Sequence, residues 1–226
     1  MPLRRRASDT LTDVVDIARR LRRVLAEALP GLDAQLRLAP EPRVGWDPHQ
    51  VPEGWRDAAA LLLLYPHEGR LHVPLTVRGG GLRHHTSQVS LPGGAVEGGE
   101  SIESAALREA AEEVGVDPVS VEMLGRLTPL HIPVSGFLLH PVVGLTPLRP
   151  AFQPHTWEVA RLLEVPVERL RDPATVRREI RTLRRAGIAH DVNVPFFDVE
   201  GEKVWGATAM VLAEFLAMVD TVALGG

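Results

Sequence analysis

The glutamates between Gly94 and Val116 constrain this chain more than any other feature of its sequence. Glu109, Glu112 and Glu113 follow one another at i, i+3 and i+4. On an α-helix these spacings place the three carboxylates on one face within a single turn. Grouped carboxylates repel one another by about 0.2–0.5 kcal/mol per pair in water, and by more where water is excluded. The pattern therefore indicates either a solvated acidic face or a face that a cation neutralises.

The flanking residues favour a helix between two loops. The turn at residues 92–94 contains two glycines, so its backbone can approach a ligand closely. Ser101 is a typical residue for the start of a helix and Gly115 for its end. The opposite face is small and aliphatic, which predicts its burial: Ile102, Ala105, Ala106, Ala110 and Val114. Oxygen ligands on the acidic face suit a hard divalent cation, Mg²⁺ or Mn²⁺.

Residues 94–116 resemble the Nudix box, G-x5-E-x7-R-E-U-x-E-E-x-G-U, in which U is aliphatic. The constrained positions are filled by Gly94, Glu100, Arg108, Glu109, Ala110, Glu112, Glu113, Gly115 and Val116. The resemblance implies a divalent-metal hydrolase of diphosphate linkages, with an α/β/α sandwich around a mixed β-sheet. It also implies that Glu109 and Glu113 are direct metal ligands. Glu112 would be a third ligand or the base that activates water.

Other residues of the box gain roles from the same resemblance. A backbone carbonyl of Gly93 or Gly94 would complete the octahedral shell of one ion. Arg108 can reach Glu112 at i+4 and Glu100 across the loop, which would fix the orientation of both carboxylates. The alternative for Arg108 is an ordinary exposed helix arginine.

The stretch before the box resembles the signature of a coenzyme A pyrophosphatase branch of this superfamily, L-L-T-x-R-[SA]-x3-R-x3-G-x3-F-P-G-G. The matching residues are Leu75, Thr76, Arg78, Arg83, Pro92, Gly93 and Gly94, and the departures are Pro74, Gly79, Ser87 and Leu91. Arg78 and Arg83 could bind phosphate oxygens bidentately, or they could pair with surface carboxylates. Leu91 in place of phenylalanine would remove an aromatic face, and Ser87 in place of glycine would hinder a tight approach.

Downstream segments resemble the same branch. Glu158, in EVARLLEVP, matches a glutamate that the branch places near the site, where it would be a base, a distal ligand or merely a strand-edge charge. The branch implies hydrolysis of coenzyme A or its thioesters to 3′,5′-ADP and 4′-phosphopantetheine. The departures keep open another nucleotide substrate, such as ADP-ribose, NADH, a dinucleoside polyphosphate or a nucleoside triphosphate. A non-catalytic nucleotide-binding module is the third alternative.

Composition narrows the class of protein. The net charge of −4 provides no basic field that would call for nucleic acid. The absence of cysteine excludes disulfides and thiol chemistry. The longest apolar run, Ala58 to Tyr65, is too short to span a bilayer, and the first residues carry no apolar signal segment. We therefore expect a cytoplasmic protein with no membrane partner.

The order of patterns predicts an N-terminal helical extension over residues 1–40 and a Nudix hydrolase domain over 41–226. Helices are predicted at 9–29 and 206–223, and an extended connector at 38–56. Strands are predicted at 58–65, 71–78, 119–130, 138–145, 160–166 and 192–199, with 167–185 open between helix and strand. The N-terminal helix could cover the domain, guard the site or mediate a homodimer. The four tryptophans could be core, connector or base-stacking residues.

Overall fold

The computed structural model describes residues 7–43, 46–50, 53–79, 88–185 and 187–222. The helices are α1 Ala7–Leu25, α2 Gly31–Gln35, α3 Ile102–Val114, α4 Val167–Arg171 and α5 Ala207–Val222. The strands are β1 Arg56–His67, β2 Arg70–Arg78, β3 Val89–Ser90, β4 Gly93–Ala95, β5 Glu122–Arg126, β6 Leu130–Ile132, β7 Phe137–Leu145, β8 Val159–Pro166, β9 Val176–Arg185, β10 Ile188–Val199 and β11 Glu202–Trp205.

Strand β1 lies at the centre of the main sheet and explains why the molecule has three layers. Its apolar run is buried on both faces, and successive side chains point to opposite sides. Leu61 and Leu63 pack with the buried face of α3, whereas Leu62 and Leu64 pack with α1 and α5. Helices therefore cover both faces of the sheet, and the predicted α/β/α sandwich is confirmed.

The main sheet is mixed, as expected. β1 runs parallel to β7 and antiparallel to β2 and β4. β2 also pairs with β3 and β8, and β7 with β5 and β6. A separate sheet has the order β11-β10-β9. Both β2 and β4, which contains the glycines before α3, pair with β1, so the glycine turn and β2 belong to the same sheet.

Three sequence predictions are wrong in their limits. The strand predicted over 119–130 divides into β5 and β6, and Pro129, which supplies no N–H, lies in the gap between them. The strand predicted at 192–199 begins earlier, at Ile188. The helix predicted over 9–29 ends at Leu25, and Pro30 stands directly before α2. The open segment 167–185 is a short helix, α4, followed by β9.

The N-terminal helices share the core of the rest of the molecule. Val14 and Leu21 of α1 lie in the same hydrophobic cluster as Phe215 of α5. The buried Glu214 carboxylate accepts hydrogen bonds from Gln35 Nε2 at 2.8 Å and Thr128 Oγ1 at 2.6 Å. The division of the chain at residue 40 stays a prediction, as does the homodimer. In the part of the chain that the structure describes, no helix is long and apolar enough to cross a bilayer.

Candidate active site

Helix α3 presents the acidic residues because its ends and its buried face are fixed locally. The Ser101 hydroxyl oxygen accepts a hydrogen bond from Ser104 N at 3.1 Å, which caps the first turn. Gly115 ends the helix at φ 72°, and a Cβ there would lie 2.9 Å from Gln153 Cβ. The small residues of the opposite face are buried against β1, so the glutamates face outward. The predicted helix and both of its predicted ends are confirmed.

The two glycines before the helix allow a close approach of β4 to its neighbours. A Cβ on Gly94 would lie 2.5 Å from the carboxyl carbon of Glu109. A Cβ on Gly93 would lie 2.7 Å from Ala60 Cα on β1. Neither distance is possible for a real side chain, so the box glycine is required by the position of the Glu109 carboxylate.

Arg108 joins the carboxylates of the box into one network. It donates to both oxygens of Glu100, from Nη2 at 2.8 Å and from Nε at 3.2 Å. Its Nη1 donates to Glu109 Oε1 at 2.8 Å and to Glu112 Oε2 at 3.3 Å. Its Nη2 also donates to the Ala95 carbonyl oxygen at 3.0 Å. The contacts expected with Glu100 and Glu112 are present, and those with Glu109 and Ala95 were not anticipated.

The hydrogen bonds of this network favour the charged forms of both Glu100 and Arg108. The hydrogen bonds from Arg108 hold the pKa of Glu100 below its ordinary value. The bonds to Glu100 and Glu109 in turn raise the pKa of Arg108. Glu100 also accepts from the Glu97 backbone N–H at 2.7 Å, which orders the loop before α3. Arg108 is therefore a fixed cation that orients the carboxylates around it.

Glu113 has the most unusual environment of the box glutamates. Burial is the main cause that raises its pKa to about 7, and the negative charges of Glu109 and Glu158 add to the rise. A hydrogen bond from Gly93 N at 3.3 Å and the positive charge of Arg78 oppose it. Raised pKa values of this kind are frequent where charges have been grouped for a function.

Glu158 and Arg78, which are far apart in sequence from the box, therefore lie close enough to Glu113 to act on its charge. The backbone explains their approach. His155 N donates to the Glu113 carbonyl oxygen at 2.8 Å, and Gly79 N donates to the Glu158 carbonyl oxygen at 2.9 Å. Arg83 and Ser87 lie outside the described residues.

The described departures from the branch signature lie in or beside the packed sheet. Pro74 is buried within β2, and Leu91 is 5% exposed in the hydrophobic core. The Leu91 side chain packs inward, so the aromatic face expected to be lost there would have lain largely in the core. A Cβ on Gly79 would approach Trp157 O no closer than 3.4 Å, so the serine or alanine of the signature has room there.

The donor set of α3 has the chemistry of a site for a hard cation. Glu109 is 16% exposed and Glu112 is 58% exposed, and the backbone of Gly94 adjoins the Glu109 carboxylate. Carboxylate and carbonyl oxygens are the ligands that Mg²⁺ and Mn²⁺ prefer. In the present arrangement Glu109 and Glu112 bond to Arg108 while Glu113 bonds to Gly93. Among the described residues, no three acidic or histidine side chains converge as a preformed metal cage.

Sequence reasoning missed the backbone groups of this site. The Gly93 N–H and the Ala95 carbonyl are bonded to Glu113 and Arg108, but backbone groups have no sequence signal of their own. The glycine turn was the only indication that the main chain would come so close.

Comparisons with known proteins identify the family of this chain. The model of the NUDIX domain matches residues 55–184. A protein of Citrobacter koseri, named Uncharacterized Nudix hydrolase NudL, is 39% identical over 70% of this chain and 81% of its own length. The protein of the same name from Pectobacterium atrosepticum is 37% identical over 73% of this chain and 83% of its own.

Among solved structures, the MutT protein of Methanosarcina mazei Go1 is 16% identical. It aligns over 76% of this chain and 99% of its own, with a TM-score of 0.48. The chain belongs to the Nudix family, whose members generally use divalent metal ions, and it is a hydrolase that acts on the diphosphate linkage of a nucleotide derivative.

Proposed function

We propose that the chain hydrolyses coenzyme A or its thioesters to 3′,5′-ADP and 4′-phosphopantetheine. The observation that carries the proposal is that the end of β2 meets the site: Gly79 N donates to the Glu158 carbonyl oxygen at 2.9 Å, and the charge of the adjacent Arg78, the signature arginine, lowers the pKa of Glu113. This position would place a phosphate-binding cation next to the scissile linkage. Two of the departures, Pro74 and Leu91, are buried side chains, and Gly79 has room for the serine or alanine of the signature.

Glu109, Glu112 and Glu113, with the carbonyl oxygen of Gly94, are the groups that would hold Mg²⁺ or Mn²⁺. Such an ion, when bound, neutralises diphosphate charge and lowers the pKa of water. Arg108 keeps the carboxylates oriented through its bonds to Glu100 and Glu109. Arg78 and Arg83 would bind the phosphate oxygens of the substrate.

Hydrolysis consumes one water, forms one P–O bond and breaks the bond between phosphorus and the bridging oxygen. A carboxylate must accept the proton that the water loses. Glu112 and Glu158 are the exposed candidates, because Glu113 is more buried and bonds to Gly93. We assign the proton acceptor to this pair, and Glu112→Gln and Glu158→Gln measured separately over a range of pH will show which of them it is.

Mass spectrometry of products from a substrate panel tests the proposal. Coenzyme A and acetyl-coenzyme A should each yield 3′,5′-ADP in the presence of Mg²⁺ or Mn²⁺. The panel also contains ADP-ribose, NADH, a dinucleoside polyphosphate and nucleoside triphosphates. Efficient cleavage of one of these with no cleavage of coenzyme A or its thioesters would overturn the proposed substrate, although the chain would still be a Nudix hydrolase.

A further inference from the structure

Trp157 is the one tryptophan that the fold leaves in solvent. Its side chain is 82% exposed. Trp46 and Trp55 instead lie edge-on to His131, with ring centroids 5.6 and 5.4 Å away. Trp205 lies beneath the guanidinium of Arg181 at 4.3 Å. A large aromatic surface left in water is unfavourable for folding alone, so Trp157 calls for an explanation outside the core.

The backbone around Trp157 lies across the proposed site. At one end, Gln153 N and His155 N donate to the carbonyl oxygens of Val114 and Glu113, both at 2.8 Å. At the other end, Gly79 N donates to Glu158 O at 2.9 Å. Residues 153–158 therefore connect the C-terminal end of α3 to the end of β2. Trp157 lies on this bridge, between the acidic helix and Arg78.

The segment before the bridge is held by the buried Tyr65 and by a partly exposed ion pair beside it. The ring of Phe152 packs edge-on to Tyr65 with centroids 5.3 Å apart. Arg149 donates to both oxygens of Glu164, at 2.7 and 2.6 Å, and the Tyr65 hydroxyl donates to Glu164 at 2.9 Å. The backbone before Trp157 is thus fixed before any ligand arrives, which lowers the entropic cost of using the ring for binding.

We propose that the exposed indole of Trp157 stacks on the nucleobase of the substrate. A nucleotide whose diphosphate lies between Glu113 and Arg78 has its base only one ribose away from the reacting phosphates. A flat aromatic ring at the edge of the site offers the base a surface on which to stack. Stacking adds affinity for the base to the affinity that hydrogen bonds provide for the diphosphate. The inference rests on the proposed function only in requiring a nucleotide substrate, and not on its being coenzyme A.

Kinetics and binding give the first test. Trp157→Ala should raise KM and the Kd for ADP by about 5- to 150-fold, the range for loss of one base–aromatic stack, with a much smaller fall in kcat. Trp157→Phe should restore most of the affinity because it keeps an aromatic face. Binding of inorganic pyrophosphate, which has no base, should be the same in wild type and Trp157→Ala. Leu148→Ala, at another residue of which 70% is exposed, is the matched control and should behave as wild type.

Tryptophan fluorescence gives the second test and needs no turnover. ADP should quench the emission of wild type and of Trp46→Phe, and the quenching should be lost in Trp157→Phe. Unchanged ADP affinity in Trp157→Ala, or equal quenching in Trp157→Phe, overturns the inference. Quenching through Trp157 in a protein that does not cleave coenzyme A would support the stack while refuting the proposed substrate, so the two failures can be told apart.

Discussion

The carboxylate of Glu109 lies directly over the α-carbon of Gly94, where a Cβ would be 2.5 Å from its carboxyl carbon. The box glycine and the box glutamate are therefore one structural unit, although 15 positions separate them in the numbering. The glycine leaves the space in which the metal-binding carboxylate of the proposed mechanism is held.

Gly94→Ala should displace the Glu109 carboxylate and reduce kcat about 10- to 1,000-fold, because positioning losses of this size follow small shifts in an active site. The fold should tolerate the change, since the obstructing group is the end of a flexible side chain.

Gly93→Ala is the contrasting variant, because its Cβ would lie 2.7 Å from Ala60 Cα in the central strand. It should lower the free energy of unfolding by about 1–3 kcal/mol. Steady-state kinetics and urea unfolding of both variants measure the difference, and wild-type kcat in Gly94→Ala would contradict it.

Glu113→Gln should reduce kcat by orders of magnitude and yet stabilise the metal-free protein at pH 8. The reason is that the substitution removes a half-buried charge that Glu109 and Glu158 repel. Glu103→Gln, on the same helix but bonded to Arg126, is the control and should retain activity. Thermal unfolding in a chelator, alongside turnover with Mg²⁺, tests both halves. Retained activity in Glu113→Gln would refute the role proposed for this residue.

Arg108→Lys should lower kcat about 10- to 100-fold, because lysine keeps the charge but cannot bond Glu100, Glu109 and Ala95 at once. Arg126→Lys is a matched control, since Arg126 makes the same two-pronged contact with Glu103 at 2.6 and 2.7 Å. Equal activities of the two lysine variants would show that Arg108 is an ordinary surface residue.

The hydrogen-bonded cluster of Arg149, Glu164 and Tyr65 should make the free energy of unfolding depend on pH in the acid range. The hydrogen bonds from Arg149 are the main cause that holds the pKa of Glu164 below its ordinary value of 4.5. A lowered pKa in the folded state contributes stability that is present above pH 4.5 and is lost as the pH falls through the lowered value. The free energy of unfolding of wild type should therefore fall more steeply than that of Glu164→Gln below pH 4.5. Parallel pH profiles from urea unfolding would contradict this.

Local signals predicted the centre of the site and missed its surroundings. The limits of α3 follow from Ser101 and Gly115, because helix caps are determined by residues next to the helix. β9 was left open because much of it is exposed on both faces, so its sequence shows no alternation between apolar and polar residues. The approach of Glu158 to Glu113 depends on backbone bonds between distant segments, which no local pattern records.

We propose above all that Glu109, Glu112 and Glu113 of one helix hold a divalent cation against the diphosphate of the substrate. The most direct test is a crystal structure with Mn²⁺ and a non-hydrolysable diphosphate analogue, read by anomalous scattering. We predict an anomalous peak about 2.0–2.3 Å from oxygens of Glu109 and Glu113, with a phosphate oxygen of the analogue on the same ion. A structure with the analogue bound but no peak at α3, and with the glutamates still bonded only to Arg108 and Gly93, would contradict the account.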